Sequence, residues 1–208
     1  LDYCLFGLKC LSLPDLKDGT EKSRAVFERA VTNVGLHVAK GVEVWEAYLE
    51  FENAVLALSA DPTDKSKVQK IFQRLLTVPH LSLNKTFAEY KTWLSQNSLE
   101  DSNADRVYAE TSKKLSQREP FETALFRAKD DETALKAYAD YIAFELKEGT
   151  PQSIQSLYER RITSHCLRPE VWIEYVDYLD RKLKIDTLSL PVHERALRNC
   201  PWSGDLWA

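Results

Sequence analysis

The sequence predicts an all-α chain, an α-solenoid (superhelix) of antiparallel helix pairs, and three observations carry that prediction. Glycine is scarce, at 6 in 208 residues, and long runs of Ala, Leu, Glu, Lys and Arg show no alternating strand pattern. Rings recur at helical spacing: Trp45, Tyr48 and Phe51, followed by Glu52, stand at i, i+3, i+6 and i+7, a slowly rotating stripe on one side of a helix. Each such helix is followed by a second one that carries an apolar residue and then a ring. Helix pairs repeated in this way stack, and each buries its faces only against its neighbours.

The first helices carry the ring stripe in four places. Trp45, Tyr48 and Phe51 recur as Phe87, Tyr90 and Trp93, as Tyr138, Tyr141 and Phe144, and as Trp172, Tyr175 and Tyr178. Each ring can bury about 150–250 Å², enough to dominate a helix–helix contact. Glu52 and Glu145 follow the third ring directly, Asp180 comes one residue later, and the Trp93 stripe has no acid. The second helices read Val26-Phe27-Glu28-Arg29-Ala30, Leu157-Tyr158-Glu159-Arg160-Arg161 and Val192-His193-Glu194-Arg195-Ala196, with Ile71-Phe72 and Val107-Tyr108 in the same slots. A half-buried Arg of the Glu-Arg pair is expected to bridge to the acidic slot of a first helix, as Arg160 to Glu145, because an exposed pair alone contributes only about 0–1 kcal/mol.

The spacing sets the number of units. Trp45, Phe87, Tyr138, Trp172 and Trp207 are 42, 51, 34 and 35 residues apart, and Phe27, Phe72, Tyr108, Tyr158 and His193 are 45, 36, 50 and 35 apart. The shorter steps match one helix–turn–helix unit of the tetratricopeptide kind. The longer ones need insertions. Residues Leu58 to Asp64 read as a turn-forming linker, and Ala104 to Ala128 reads as one long or Pro120-kinked helix. The chain thus reads as a single array of about five repeats. They run as a truncated first repeat over 1–35, then 41–79, 84–128, 132–168 and 169–200, with a sixth starting over 201–208. Tyr3 fills a ring slot of the first and Trp207 of the last. Pro79, Pro169 and Pro201 punctuate the repeats, since Pro is tolerated at a helix start and not in its middle. The chain lacks Met and starts and stops within the pattern, so it reads as a piece of a longer array. That leaves Trp202 and Trp207 without a following repeat and predicts a monomer or weak dimer.

Composition excludes several classes. A net charge of −4 and a pI near 5.7 argue against tight nucleic-acid binding by the chain alone, which phosphate neutralisation would drive. No run of about 18 apolar residues exists to span a membrane, and the start has no signal-peptide pattern. Cys4, Cys10, Cys166 and Cys200 are scattered without a C-x-x-C pair, so reduced, packed thiols are expected. His37, His80, His165 and His193 lie in different repeats, and no zinc spacing, phosphate loop or nucleophile elbow is present. Neither a cofactor nor catalysis is expected. Asp130, Asp131 and Glu132 suit the positive end of a helix dipole. Arg160, Arg161, Arg168, Arg195 and Arg198 form a candidate basic strip for RNA late in the chain, although Glu159 and Glu194 stand beside it.

The ring-stripe first helix and the apolar-ring-Glu-Arg-Ala second helix together resemble the half-a-tetratricopeptide, or HAT, repeat. That resemblance implies a scaffold of RNA processing with a tetratricopeptide-like fold. The Phe87 unit departs from it, with Phe for Trp and with Val107-Tyr108-Ala109-Glu110 lacking Glu-Arg. Several strings together, among them Arg24 to Ala30, Val34 to His37, Gly41 to Glu52, Thr86 to Tyr90 and Val192 to Trp202, resemble more narrowly the N-terminal HAT array of the spliceosomal recycling factors that reassemble the U4/U6 small nuclear ribonucleoprotein, the family of the squamous cell carcinoma antigen recognised by T cells. This implies a nuclear scaffold for splicing or snRNP proteins, with dimerisation and ubiquitin-specific proteases engaged by later repeats and RNA by C-terminal RNA-recognition motifs. Direct small nuclear RNA contact by the later repeats, and a sister scaffold of messenger RNA 3′-end or ribosomal RNA processing, are the alternatives.

Overall fold

A computed structural model describes residues 16–58 and 63–207, with side chains described over 19–58 and 64–207. Nine α-helices, one π-turn and one 3-10 turn, and no strand, make up the described residues. The contacts divide the chain into two compact units, the first ending at Glu122 and the second running from Thr123 to Ala208.

In the first unit, α1 (Leu16–Val34), α2 (Val42–Leu58), α3 (Thr63–Leu76) and α4 (Leu83–Gln96) each pack on the next, the helix-on-helix order of an α-solenoid. Helix α5 (Ala104–Arg127) meets α4 through Phe87 and Tyr108, whose rings stack at 4.2 Å. One core, from Phe27 to Leu115, joins these elements, with Phe27, Phe51, Val68, Leu75, Leu83 and Tyr90 fully buried. α2 is buried on most of its circumference, as expected of a helix held between two others. α5 takes in Pro120 as a continuous helix of 24 residues. Most of the expected linker between α2 and α3 lies outside the described residues, and its last two positions, Thr63 and Asp64, already belong to α3.

In the second unit, α6 (Asp131–Glu148), α7 (Pro151–Ser164), α8 (Pro169–Tyr178) and α9 (Asp186–Asn199) again pack in sequence. Local chemistry fixes the starts. Asp130 caps α6 by accepting from the Thr133 amide at 2.8 Å, and Thr150 caps α7 by accepting from the Ser153 amide at 3.2 Å. In both, the third residue's hydroxyl returns to the cap, satisfying amides that a helix start leaves open. Pro151 and Pro169 sit in the first turn, where the missing N–H removes nothing. α8 continues into a π-turn, Leu179–Leu183, ended by Lys184 at φ 56°, a left-handed cap that offers its amide to Leu179 O. Pro191 lies inside α9, one residue before Val192, where the ring motif starts. After α9 the sequence expects a further first helix, whereas residues Gly204–Leu206 form a 3-10 turn.

Candidate functional site

Ring packing sets the repeat junctions. Phe27 of α1 stacks on Tyr48 of α2 at 5.0 Å and contacts Phe51 at 5.1 Å. Phe72 of α3 does the same to Tyr90 (5.0 Å) and Trp93 (5.9 Å) of α4, and Tyr158 of α7 to Tyr175 (4.9 Å) and Tyr178 (5.5 Å) of α8. At these three junctions the ring of the second helix therefore sits against the second and third rings of the following first helix. Stacking adds about 0.5–1.5 kcal/mol per pair beyond area burial. Burial also pushes the Tyr158 hydroxyl up to about 12, so these phenols stay neutral.

A Glu one residue after the ring of one second helix and an Arg two residues after the ring slot of the next close two of these junctions by a repeated clamp. Glu28 of α1 accepts two hydrogen bonds from Arg74 of α3, at 2.6 and 2.8 Å, and one from Tyr48 Oη at 3.1 Å. The Arg74 guanidinium lies 5.1 Å from the Trp45 ring centre. In the second unit, Glu159 of α7 accepts from Arg195 of α9 at 2.8 Å twice, Tyr175 shares the same carboxylate, and Arg195 covers Trp172 at 5.4 Å. Each Arg thus spans from one second helix to the previous one across the Trp between them. The bidentate geometry holds both guanidiniums above their ordinary pKa and, with Arg74 beside it, Glu28 below the carboxylate range. The Trp rings are fixed from within as well: Trp45 Nε1 donates to Gly35 O at 3.1 Å and Trp172 Nε1 to Cys166 O at 2.8 Å.

The bridge expected from the sequence runs from an Arg to the acidic slot of a first helix, and the clamp is a separate contact that the sequence did not single out. The acidic slots make contacts of their own. Glu52, 1% exposed, takes Arg24, three residues ahead of the ring, at 2.7 and 2.9 Å. Glu145, also buried, accepts from Ser153 Oγ at 2.8 Å, and Asp180 faces His193 Nε2 at 3.3 Å. The signal was present in the repeat itself, since Arg74 and Arg195 share a register two residues after the ring slot. The α3–α4 junction lacks the clamp, having Gln73 for Glu, Phe87 for Trp and Glu110 for Arg. There Asp101 accepts from Tyr90 Oη at 2.7 Å and from Gln73 Nε2 at 2.9 Å.

Of the predicted ring positions, Tyr3 lies outside the described residues. Tyr138 and Tyr141 are buried with those at the junctions, and Phe87, Tyr108, Phe144 and His193 are half-buried. Trp207 is 65% exposed, yet its indole donates to the carbonyl six residues back, Pro201 O, as Trp172 does to Cys166 O. The basic strip is largely neutralised. Arg161 pairs with Glu174, Arg168 with Glu170, Arg195 with Glu159 and Arg198 with Glu194, while Arg160 is half-buried. Cys166 and Cys200 are free thiols, and Cys4 and Cys10 lie outside the described residues. Among the described residues no cluster suited to a metal ion occurs, and no helix is long and apolar enough to cross a membrane.

Comparison with known proteins names the repeat. The PRP39 N-terminal HAT repeat family matches residues 1–92, and the PRP39 C-terminal HAT repeat family matches residues 116–202. The chain is similar to the human spliceosome associated factor 3, U4/U6 recycling protein, at 43% identity over 192 residues, covering 92% of this chain and 19% of that protein. It is 24% identical over 196 residues to the mRNA 3′-end-processing protein RNA14 of Candida albicans, covering 79% of this chain and 24% of that protein. A shorter match, 35% over 72 residues, relates it to the zebrafish (Danio rerio) pre-mRNA-processing factor 39, covering 34% of this chain and 10% of that protein. The chain spans about a fifth of the length of the recycling protein it matches. Ring ladder, Glu–Trp–Arg clamp and family matches agree: the chain belongs to the HAT-repeat family, as an α-solenoid array related to proteins of pre-mRNA processing.

Proposed function

We propose that the chain is a non-enzymatic protein–protein interaction scaffold of nuclear RNA processing, serving pre-mRNA splicing through assembly and recycling of the U4/U6 small nuclear ribonucleoprotein. The observation that carries this reading is that the repeat's rings and its clamp charges at the described junctions are engaged in packing, which leaves the exposed helix faces to make partner contacts. The likeness to the U4/U6 recycling protein supplies the pathway. Splicing proteins are the partners. Ubiquitin-specific proteases and dimerisation belong to repeats outside this chain, and RNA to separate recognition motifs.

The chain, immobilised and exposed to nuclear extract, retains U4/U6 ribonucleoprotein components at physiological salt. Retention of 3′-end-processing factors in their place would move the assignment to the sister scaffold that the RNA14 likeness represents. Direct RNA contact by the late repeats is disfavoured by the carboxylates paired with Arg161, Arg168, Arg195 and Arg198. Filter binding of small nuclear RNA at low salt that responds to Arg198→Glu would reinstate it.

A further inference from the structure

In the first unit, α2 and α3 pack on each other and carry opposite charge. Helix α2 carries four Glu and no Lys or Arg, and Glu43 and Glu50 on it are exposed. Helix α3 carries Lys65, Lys67, Lys70 and Arg74 against Asp64 alone. The second helices α1 and α3 are tied together by Glu28 and Arg74, and α3 is tied to the connection before α5 by Gln73 and Asp101. Along them Arg29, Lys65, Lys70, Lys113 and Lys114 are exposed and have no acidic partner among the described residues. Glu119 is the one acid on the described part of these helices left without a cation.

We infer that this second-helix layer, centred on Lys65 and Lys70, is the docking surface for an acidic polypeptide segment of a protein partner. The inference rests on the scaffold reading and names the chemistry of one partner. Charge complementarity selects an anion. The lack of exposed stacking rings among the described residues favours a peptide over RNA, because single-stranded RNA draws about 1–3 kcal/mol per base from rings. None of the described rings of this unit is exposed: they are buried in the core or half-buried, Phe87 and Tyr108 being stacked on each other. Between the lysines stand Ser66, Gln69 and Gln73, neutral groups that accept a peptide without repelling it.

The test is fluorescence anisotropy of the whole chain with a labelled oligo-glutamate peptide and, separately, an oligo-uridylate of equal charge. The peptide binds at low salt, weakens as salt rises, and loses at least about tenfold in affinity with Lys65→Glu/Lys70→Glu, whereas Glu43→Gln/Glu50→Gln changes it less than about twofold. Lys65→Gln/Lys70→Gln gives a smaller loss in the same direction, and unchanged circular dichroism shows that the variants are folded. No peptide binding at low salt, equal binding by the charge-reversed chain, or tighter binding of oligo-uridylate overturns the inference. Continued retention of splicing proteins from nuclear extract in any of those cases leaves the scaffold reading standing.

Discussion

The Glu159–Arg195 clamp makes a quantitative prediction that a double-mutant cycle can check. At about 4 Å, two unit charges attract by about 4 kcal/mol when the effective dielectric is near 20. The side chains are 43% and 37% exposed, so solvent screening removes most of this, and fully exposed pairs contribute only about 0.2–1 kcal/mol. Two parallel charge-assisted bonds at 2.8 Å place the pair at the upper end, and the coupling between Glu159→Gln and Arg195→Met is expected to be about 1–1.5 kcal/mol. Arg195→Met alone costs about 2 kcal/mol, because it also uncovers the Trp172 face, a contact of about 0.5–1 kcal/mol. Glu159→Gln costs about 1 kcal/mol, as the amide still accepts one bond. Urea unfolding of the four proteins gives the coupling, and repeating it at high salt reduces it. A coupling below about 0.3 kcal/mol, within the error of additivity, would refute the clamp as a stabilising contact.

Other predictions follow from single sites. His80 is 1% exposed, neither ring nitrogen has a hydrogen-bond partner among the described residues, and burial lowers its pKa from 6.5 to about 4. The unfolded chain therefore binds more protons between those values, so stability is full above pH 6.5 and falls towards pH 4, by roughly 2–3 kcal/mol from this residue. His80→Leu should remove that difference in urea midpoints measured across the range; an identical pH profile in the variant would count against it. Gly35→Ala places a Cβ on Val31 O and 2.8 Å from Trp45 Nε1, and should destabilise by about 1–3 kcal/mol, while Gly19→Ala, with open space around it, should stabilise by about 0.5–1 kcal/mol. Thermal melts of the two glycine variants shifting in the same direction would contradict this. Thr150→Ala removes a capping box and should lower stability by about 1 kcal/mol, and Asp130→Ala should shift the same melts in the same direction.

The helical class and the ring ladder were legible because both are periodic. Rings at i, i+3 and i+6 on α2, α4 and α8 can be buried on one side only if a neighbour supplies the other half, and Phe27, Phe72 and Tyr158 supply it. The pairing within the clamp was illegible for the opposite reason, although the register of its Arg is in the repeat. Its three members lie on three successive helices, and periodicity within one helix says nothing about which carboxylate an Arg reaches. Local backbone events were hidden too. The π-turn at Leu179–Leu183 and the left-handed Lys184 carry no Gly or Pro signal, and Pro191 within α9 opposes the usual reading of Pro as a boundary. The opposite charges of α2 and α3 stand in the sequence, whereas the packing of one helix on the other is a tertiary fact.

The two clamps have the same partners at unequal separations in sequence, 46 residues from Glu28 to Arg74 and 36 from Glu159 to Arg195. Within each compact unit the register of one second helix on the next is therefore set by side chains that measure a distance through space, and the length of chain between them does not enter. Connecting segments in such an array are free to grow or shrink during evolution while the spacing of the display surface stays constant. The entropy cost of a longer loop rises only slowly, by about 0.6 kcal/mol per doubling, so insertions between the helices are the inexpensive route by which one scaffold acquires a new specificity.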